Sequence, residues 1–199
     1  VTAVVSDNDV SWHRLPIPKA PSAKLRAALV GSMEEHVLDE ADATHLALEP
    51  GAVAGQEAWV CVLNKPWLQA EIEKLERAGL DVERVVPMSW PEDTPLGHFS
   101  EATDATATKA GGATVPLTWP DSNAVATVQP NASLSKSLLP QWTTLPARWT
   151  AQPSVAAQAE RWLGAPVLAQ RDEPRALQAV RSLWNLRQFD LAPSHRGTR

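Results

Sequence analysis

The pattern that most constrains the fold is a strand, a helix and a second strand between residues 58 and 87. The run AWVCVLN (58–64) is apolar and β-prone, which is typical of a buried strand. The sequence DVERVVP (81–87) predicts another strand. Between them lie an N-cap residue, an early proline, an apolar stripe at helical spacing and a terminating glycine: Asn64, Pro66, Trp67, Leu68, Ile72, Leu75 and Gly79.

The residues before this pattern extend it into a larger α/β unit. VTAVV (1–5) and VSWHRL (10–15) predict two strands around a polar turn, and THLALE (44–49) predicts a third. Apolar residues at spacings of three and four predict a helix from Ser22 to about Leu38. The order strand, strand, helix, strand, strand, helix, strand predicts a mixed sheet with packed helices in residues 1–90.

The rest of the chain predicts a linker and a second α/β unit. Residues 91–112 contain few large apolar groups and much Pro, Thr, Ala and Gly, so we expect a linker or a long loop. In residues 113–199 we expect strands at 113–119, 124–129 and 166–170. Helices are expected near 132–139, at 154–163 and from Asp172. The last helix is expected to bury Leu177, Val180, Leu183 and Trp184.

The composition excludes several classes of protein. With a net charge of −5 and no basic stripe, the chain does not favour nucleic acid or an anionic membrane as a ligand. A single cysteine, Cys61, excludes a disulfide framework and a cysteine zinc cluster, and it favours a reducing compartment. No apolar run reaches the roughly 18 residues that a membrane-spanning helix requires.

No catalytic motif is present in the sequence. The nine glycines form neither a P-loop nor a Rossmann turn, and there is no Gly-x-Ser-x-Gly or His-Glu-x-x-His. Cys61 lies within an apolar run, where a buried, inert thiol is expected. We therefore predict no catalytic residue, no cofactor site and no metal site.

An acidic cluster stands out near the end of the first helix. It comprises Glu34, Glu35, His36, Asp39, Glu40, Asp42 and His45. Its spacing permits a metal or acid/base site, a protein-docking surface or a plain solvated face. A dedicated metal site would need ligands from a second element, and none is visible in the pattern. His45 alternates with leucines in a short strand, so we expect it to face solvent or to cap a loop.

The direction of charge along this helix favours the docking interpretation. The basic residues Lys19, Lys24 and Arg26 lie near its start, whereas the acidic residues lie at its end, which is opposite to what the helix dipole favours. Charges that lower stability without local compensation often serve a function, and an acidic surface suits a basic partner. We therefore predict that the partner-binding residues are Glu34, Glu35, Asp39 and Glu40.

Three stretches together resemble the cytoplasmic domain of the type II secretion system protein L family, GspL. The first is VSWHRLPIPKAPSAKLRAALVGSMEEHVLDEADATHLAL (10–48), with a proline-led helix, an acidic stretch and a His-Leu-Ala-Leu strand. The second is AWVCVLNKPWLQAEIEKLERAGLDVERVVP (58–87). The third, SLWNLRQFDL (182–191), lies near the end of the chain. The resemblance covers residues 10–90 well and 155–191 moderately.

The resemblance implies an α/β fold of the actin-like, RNase H-like type, with two mixed-sheet halves and a truncated first half. It also implies a non-enzymatic component of the bacterial inner-membrane platform that docks the N-terminal domain of the secretion ATPase GspE. Further implied partners are GspM, GspF and a second copy of the chain. A transmembrane helix is expected after Arg199, with this fragment on the cytoplasmic face.

The alternative within the same fold is a nucleotide-binding protein, either a pilus assembly protein of the PilM type or an enzyme of the sugar-kinase type. Actin-like enzymes hold phosphate at Asp-x-Gly turns, where the carboxylate acts through a metal and the glycine admits the backbone. No Asp in this sequence has Gly two positions later. The sequence therefore favours the protein-binding alternative.

Overall fold

The computed structural model of the chain describes residues 1–33, 42–94, 96–102, 115–120, 125–128 and 148–193. The chain divides into two compact units. The first contains residues 1–88 and 179–199, and the second contains residues 89–178. Among the residues that the structure describes, none of the helices has the length and apolar character needed to cross a membrane.

The first unit follows the predicted order of elements. It comprises β1 (Thr2–Val5), β2 (Ser11–Pro16), α1 (Ser22–Met33), β3 (Thr44–Leu48), β4 (Glu57–Asn64), α2 (Lys65–Arg77) and β5 (Arg84–Pro87). β1 pairs with β5 in parallel, and β4 lies between β2 and β3 in an antiparallel sheet.

The antiparallel sheet packs its apolar face against α1. Leu46 and Val60 are fully buried in this core, together with Leu29 and Met33 from the helix. Met33 is four residues from Leu29, so both side chains lie on the same face of α1. The apolar spacing in the sequence therefore corresponds to the buried face of α1 over its described length.

Helix α2 has the boundaries that the sequence predicts. The Asn64 side chain accepts a hydrogen bond from the backbone N–H of Trp67 at 2.9 Å, which satisfies one of the free donors at the helix start. Pro66 lies in the first turn, where its missing N–H has no cost. Gly79 follows the helix at a φ of +83°, a conformation that glycine adopts without strain.

The second unit contains one five-stranded sheet and two helices in the residues that the structure describes. Its elements are β6 (Leu96–Phe99), β7 (Leu117–Pro120), β8 (Val125–Val128), β9 (Arg148–Ala151), α3 (Ala156–Leu163), β10 (Leu168–Ala169) and α4 (Asp172–Arg181). The strand order is β10-β9-β6-β7-β8. Strands β10, β9 and β6 pair in parallel, and β7 pairs antiparallel with both β6 and β8. Phe99, Leu117, Ala151 and Ala159 form its buried core.

The observed organisation differs from the predicted one in two places. Strand β6 lies within residues 91–112, which the composition predicted to be a linker, because its four residues pair with β7 and β9. The chain also returns to the first unit at residue 179, whereas residues 113–199 were predicted as one unit. The predicted helix near 132–139 lies outside the described residues.

The burial predicted for the last helix is partly wrong. The buried residues of α4 are Arg175 and Ala179, which are four positions apart and therefore lie on one face of the helix. Leu177 lies on the opposite face, where 63% of its surface is exposed. Leu183 is 83% exposed because it follows the end of α4 at Arg181, where helical spacing no longer applies. Trp184 is buried as predicted and contacts Trp12 edge to face at 4.8 Å.

Candidate functional site

Residues 182–191, which we call the strap, form the densest set of long-range polar contacts in the described part of the first unit. The strap has little regular structure, with a single 3₁₀ turn at Phe189–Leu191. Arg84 of β5 binds its beginning: the guanidinium donates hydrogen bonds to the carbonyls of Val180, Ser182 and Trp184 at 3.2, 2.7 and 2.8 Å. One charged side chain thus satisfies three carbonyls at and beyond the end of α4.

The middle of the strap binds β5 through both backbone and side chain. The Leu186 N–H donates to the carbonyl of Val85 at 2.6 Å. The Asn185 side-chain oxygen accepts hydrogen bonds from the N–H groups of Val85 and Arg187 at 3.3 and 3.0 Å. Arg187 in turn donates to the carbonyl of Val82, and its ion pair with Glu76 spans 3.4 Å.

The edge of β3 is bound by the side chain of Gln188. Its oxygen accepts from the N–H of Leu48 at 3.1 Å, and its nitrogen donates to the carbonyl of Leu48 at 2.9 Å. The amide thereby reproduces the two hydrogen bonds that a neighbouring strand would make to this residue. Such cover removes one pair of free backbone groups from the edge of the sheet.

His45 of β3 forms the buried contact of the site. It is fully buried, and its Nε2–H donates to the Leu186 carbonyl at 2.6 Å. Because Nε2 carries the proton, Nδ1 of the neutral ring is an acceptor, and it has no hydrogen-bond partner among the described residues. Burial lowers the pKa of His45, and the nearby charges of Arg26 and Lys65 act in the same direction.

The last anchor of the strap is the carboxylate of Asp190. It lies 2.7 Å from Nζ of Lys65 at the start of α2 and 3.3 Å from Nε of Arg26 in α1. The hydrogen bond from Lys65 is the main cause that lowers the pKa of Asp190. Arg26 also donates to the Thr44 carbonyl at 3.2 Å, so α1, β3, α2 and the strap meet at these charges.

Phe189 adopts an unusual backbone conformation between these anchors. Its φ is +51°, in the left-handed region that bulky residues rarely occupy. Such a conformation costs about 1 to 3 kcal/mol and persists where the surroundings require it. The Phe189 side chain packs against the core of the first unit, whereas Gln188 and Asp190 reach β3 and the helix ends.

The site predicted from the acidic cluster falls mostly on residues that the structure does not describe. Glu34, Glu35, His36, Asp39 and Glu40 are outside the described residues. Asp42 is exposed in the turn before β3. The prediction that His45 faces solvent is wrong, because the strap covers β3 and takes the imidazole as a donor.

The described residues contain no group of three or more His, Cys, Asp or Glu side chains that could hold a metal ion. Cys61 is fully buried in β4, and burial raises the pKa of its thiol, as expected for an inert cysteine. The strap itself was missed in the sequence. Its residues were visible as the motif SLWNLRQFDL, but no local pattern indicates what they bind.

The second unit has a buried polar row across its sheet. His98 of β6 faces Thr118 of β7 and Thr150 of β9, and all three are buried. The Thr150 hydroxyl lies 3.2 Å from the Gly97 carbonyl, to which it donates, and 2.8 Å from His98 Nδ1, from which it accepts. His98 Nε2 has no partner in the described part of the chain, and burial followed by the charge of Arg175 lowers the pKa of His98 to about 3.

A cavity of about 400 Å³ lies in the second unit, beside α3. It is lined by Phe99, Val115, Gln158, Ala159, Arg161 and Trp162. Most of these side chains are apolar or aromatic, and they form one wall of the core of this unit. They include no pair of carboxylates and no nucleophile, so these lining residues have none of the groups required for acid/base or covalent catalysis.

Comparison with known proteins supports the family resemblance. Residues 1–92 match the family model of type II secretion system (T2SS), protein L. The type II secretion system protein L of Dickeya chrysanthemi is 33% identical over 84 residues, which are 42% of this chain and 21% of that protein. The match therefore spans about a fifth of the relative.

A solved structure supports the fold. The cytoplasmic domain of EpsL, an inner-membrane component of the type II secretion system of Vibrio cholerae, aligns with a TM-score of 0.61 at 17% identity. The alignment covers 96% of this chain and 79% of that chain. A PilM-PilN type IV pilus biogenesis complex aligns with a TM-score of 0.49 at 11% identity, over 87% of this chain and 70% of that chain.

These findings confirm two predictions made from the sequence. The α/β fold is of the actin-like, RNase H-like class, with several sheets and packed helices. The described strands of the first unit form a parallel pair and an antiparallel sheet, and not the single mixed sheet that the sequence predicted. The strand-helix pattern and the motifs in residues 10–87 lie within the part that matches the family model. By family model, by a curated relative and by fold, the chain resembles type II secretion system protein L.

Proposed function

We propose that this chain is the cytoplasmic part of an inner-membrane platform component of the type II secretion system. In this role it binds the N-terminal domain of the secretion ATPase GspE, and it couples that enzyme to the membrane partners GspM and GspF. It performs no catalysis itself. The observation that carries the proposal is the match of residues 1–92 to the protein L family model.

The chemistry of the chain supports a binding role. The Asp-x-Gly turns that hold phosphate in actin-like enzymes are absent from the sequence. In the described residues, the most elaborate polar site is the strap, whose charged side chains bind backbone carbonyls and one another. A side chain engaged in this way supports structure and is not available as an acid, a base or a phosphate ligand.

The acidic segment after α1 is the proposed contact region for the ATPase. Glu34, Glu35, Asp39 and Glu40 concentrate negative charge in seven positions of the sequence. A segment with this charge attracts a basic partner and gives a salt-dependent affinity. We expect the double charge reversal Glu35→Lys with Asp39→Lys to weaken binding of the ATPase domain at least tenfold at low salt, with a smaller effect at high salt.

A matched control is the double reversal Asp81→Lys with Glu83→Lys, at two exposed residues between α2 and β5. It changes the net charge in the same direction but lies far from the acidic segment in sequence. Calorimetric titration with the ATPase domain at two salt concentrations measures both variants. An affinity of the double variant equal to that of the wild type at low salt would refute the assignment of this surface.

Titration of the purified chain with ATP and Mg²⁺ tests the nucleotide-binding alternative. The proposal expects no saturable heat at concentrations up to about a millimolar, because the sequence lacks phosphate-holding turns. Saturable binding in the micromolar range would instead place the chain with nucleotide-binding proteins of this fold.

A further inference from the structure

The outer edge of β3 is covered by side chains and not by another strand of the described residues. β3 pairs with β4 through one edge, and the Glu49 N–H that follows it donates to the carbonyl of Trp59 at 2.9 Å. Hydrogen-bonding direction alternates along a strand, so Leu48 directs its N–H and C=O away from β4. Gln188 takes both groups of Leu48, and Arg26 takes the carbonyl of Thr44.

The strap is attached to this edge with little backbone pairing. Between the strap and the strands of the described first unit, the hydrogen bond from Leu186 N–H to Val85 is the one formed by backbone groups on both sides. The remaining backbone bonds of the strap, such as Gln188 to Leu186 and Leu191 to Gln188, stay within it. Attachment to β3 therefore depends on the side chains of His45 and Gln188, and Asp190 attaches the strap to α1 and α2.

The strap is also held in a conformation that it would leave if released. Phe189 has a φ of +51°, which is unfavourable for a residue with a bulky side chain. A free chain would relax to negative φ, so the anchors on either side maintain this geometry. The regions of a folded protein differ in opening free energy, and strained backbone is common in segments that switch between conformations.

We propose that the strap opens as one unit while the rest of the first unit remains folded. Opening uncovers the N–H and C=O of Leu48 at the edge of β3. It also separates Asp190 from Arg26 of α1. The strap is thus a conformational device that connects the C-terminal part of the chain to the helix from which the acidic segment follows.

Native-state hydrogen exchange of the intact chain tests this device. The amides of Leu48 and Leu186 report on opening, since their acceptors are Gln188 and Val85. The amide of Cys61 in the central strand β4, which pairs with Ala47, reports on global unfolding. We expect Leu48 and Leu186 to exchange with one shared opening constant, at least tenfold larger than that of Cys61 and independent of low concentrations of urea.

One variant and one control distinguish opening of the whole strap from a local change at Leu48. Gln188→Ala is expected to raise the exchange of Leu48, Leu186 and Cys61 by a common factor of about ten, because the contacts of Gln188 are lost both in the open state and in the unfolded state. Gln69→Ala is the matched control, because this exposed glutamine of α2 forms a local hydrogen bond, to Glu73. If Leu48 and Leu186 exchange only with Cys61 in the wild type, or if Gln188→Ala accelerates Leu48 alone, the strap does not open as a unit and the proposal is overturned.

Discussion

At the scale of single residues, the first unit depends on side chains that act far along the sequence. Arg84 binds carbonyls 96 to 100 residues away, and His45 binds one 141 residues away. Each contact replaces backbone pairing that the irregular strap cannot make. A buried or half-buried carbonyl left without a donor costs about 1 to 3 kcal/mol, so single substitutions should have large effects.

Replacement of Arg84 tests this dependence. Arg84→Ala should lower the free energy of unfolding by about 2 to 4 kcal/mol, because three carbonyls lose a charged donor. Arg84→Lys should recover less than half of the loss, since an ammonium cannot match the planar guanidinium. Urea denaturation measures both, with Arg77→Ala, at an exposed residue of α2, as the control. An Arg84→Lys protein as stable as the wild type would contradict the prediction.

The buried His98 predicts a dependence of stability on pH. Its pKa in the folded chain is about 3, below the usual value of 6.5, so between these values the unfolded chain binds a proton that the folded chain does not. The contribution of neutral His98 to the free energy of unfolding should therefore be fully present above about pH 6.5. It should decrease by a few kcal/mol as the pH falls towards 3. His98→Gln should be less stable at pH 7 but should lose less stability on acidification. Urea denaturation across this range measures both proteins, and parallel losses would show that His98 does not titrate in this way.

At the scale of elements, close packing in the second unit constrains a glycine. Gly97 of β6 lies opposite Trp149 of β9, and a Cβ at this position would overlap ring atoms of Trp149. The Trp149 ring also packs on Trp119 with centroids 5.0 Å apart, so it cannot move freely. The strand pairing therefore requires a residue without a side chain at Gly97.

Two alanine substitutions test this packing argument. Gly97→Ala should destabilise the chain by about 2 to 3 kcal/mol, because the added methyl group displaces the Trp149 ring. Gly31→Ala lies in helix α1, where an added methyl group meets no neighbouring side chain within 4 Å, so it should instead stabilise by up to about 1 kcal/mol. Thermal unfolding of both variants measures the contrast. Equal effects in the two positions would contradict the account of Gly97.

Local signals explain which elements could be predicted from the sequence. Helix α2 was predicted because its cap, its stripe and its terminal glycine all lie within sixteen residues, Asn64 to Gly79. The strap could not be placed, because its partners His45, Leu48 and Arg84 are about 100 to 140 residues away. Strand β6 was missed because a four-residue strand containing Gly97 has too little apolar character to stand out in a Pro- and Thr-rich stretch.

At the scale of the whole molecule, the chain joins an actin-like α/β fold to a sequence segment rich in acidic groups. The net charge of −5 favours a basic protein partner over nucleic acid. Residues 34–40 carry four of the 23 acidic side chains and follow a helix that the strap contacts through Arg26. A partner bound at this segment would bind residues that directly follow α1 in the sequence. The proposed docking and the proposed opening of the strap are therefore connected through α1, which the strap contacts at Arg26.

Calorimetric titration of this chain with the N-terminal domain of the secretion ATPase from the same system tests the central claim most directly. The account predicts saturable binding near one to one, with an affinity that decreases as salt concentration rises. No saturable binding at low salt, with both proteins folded, would contradict it.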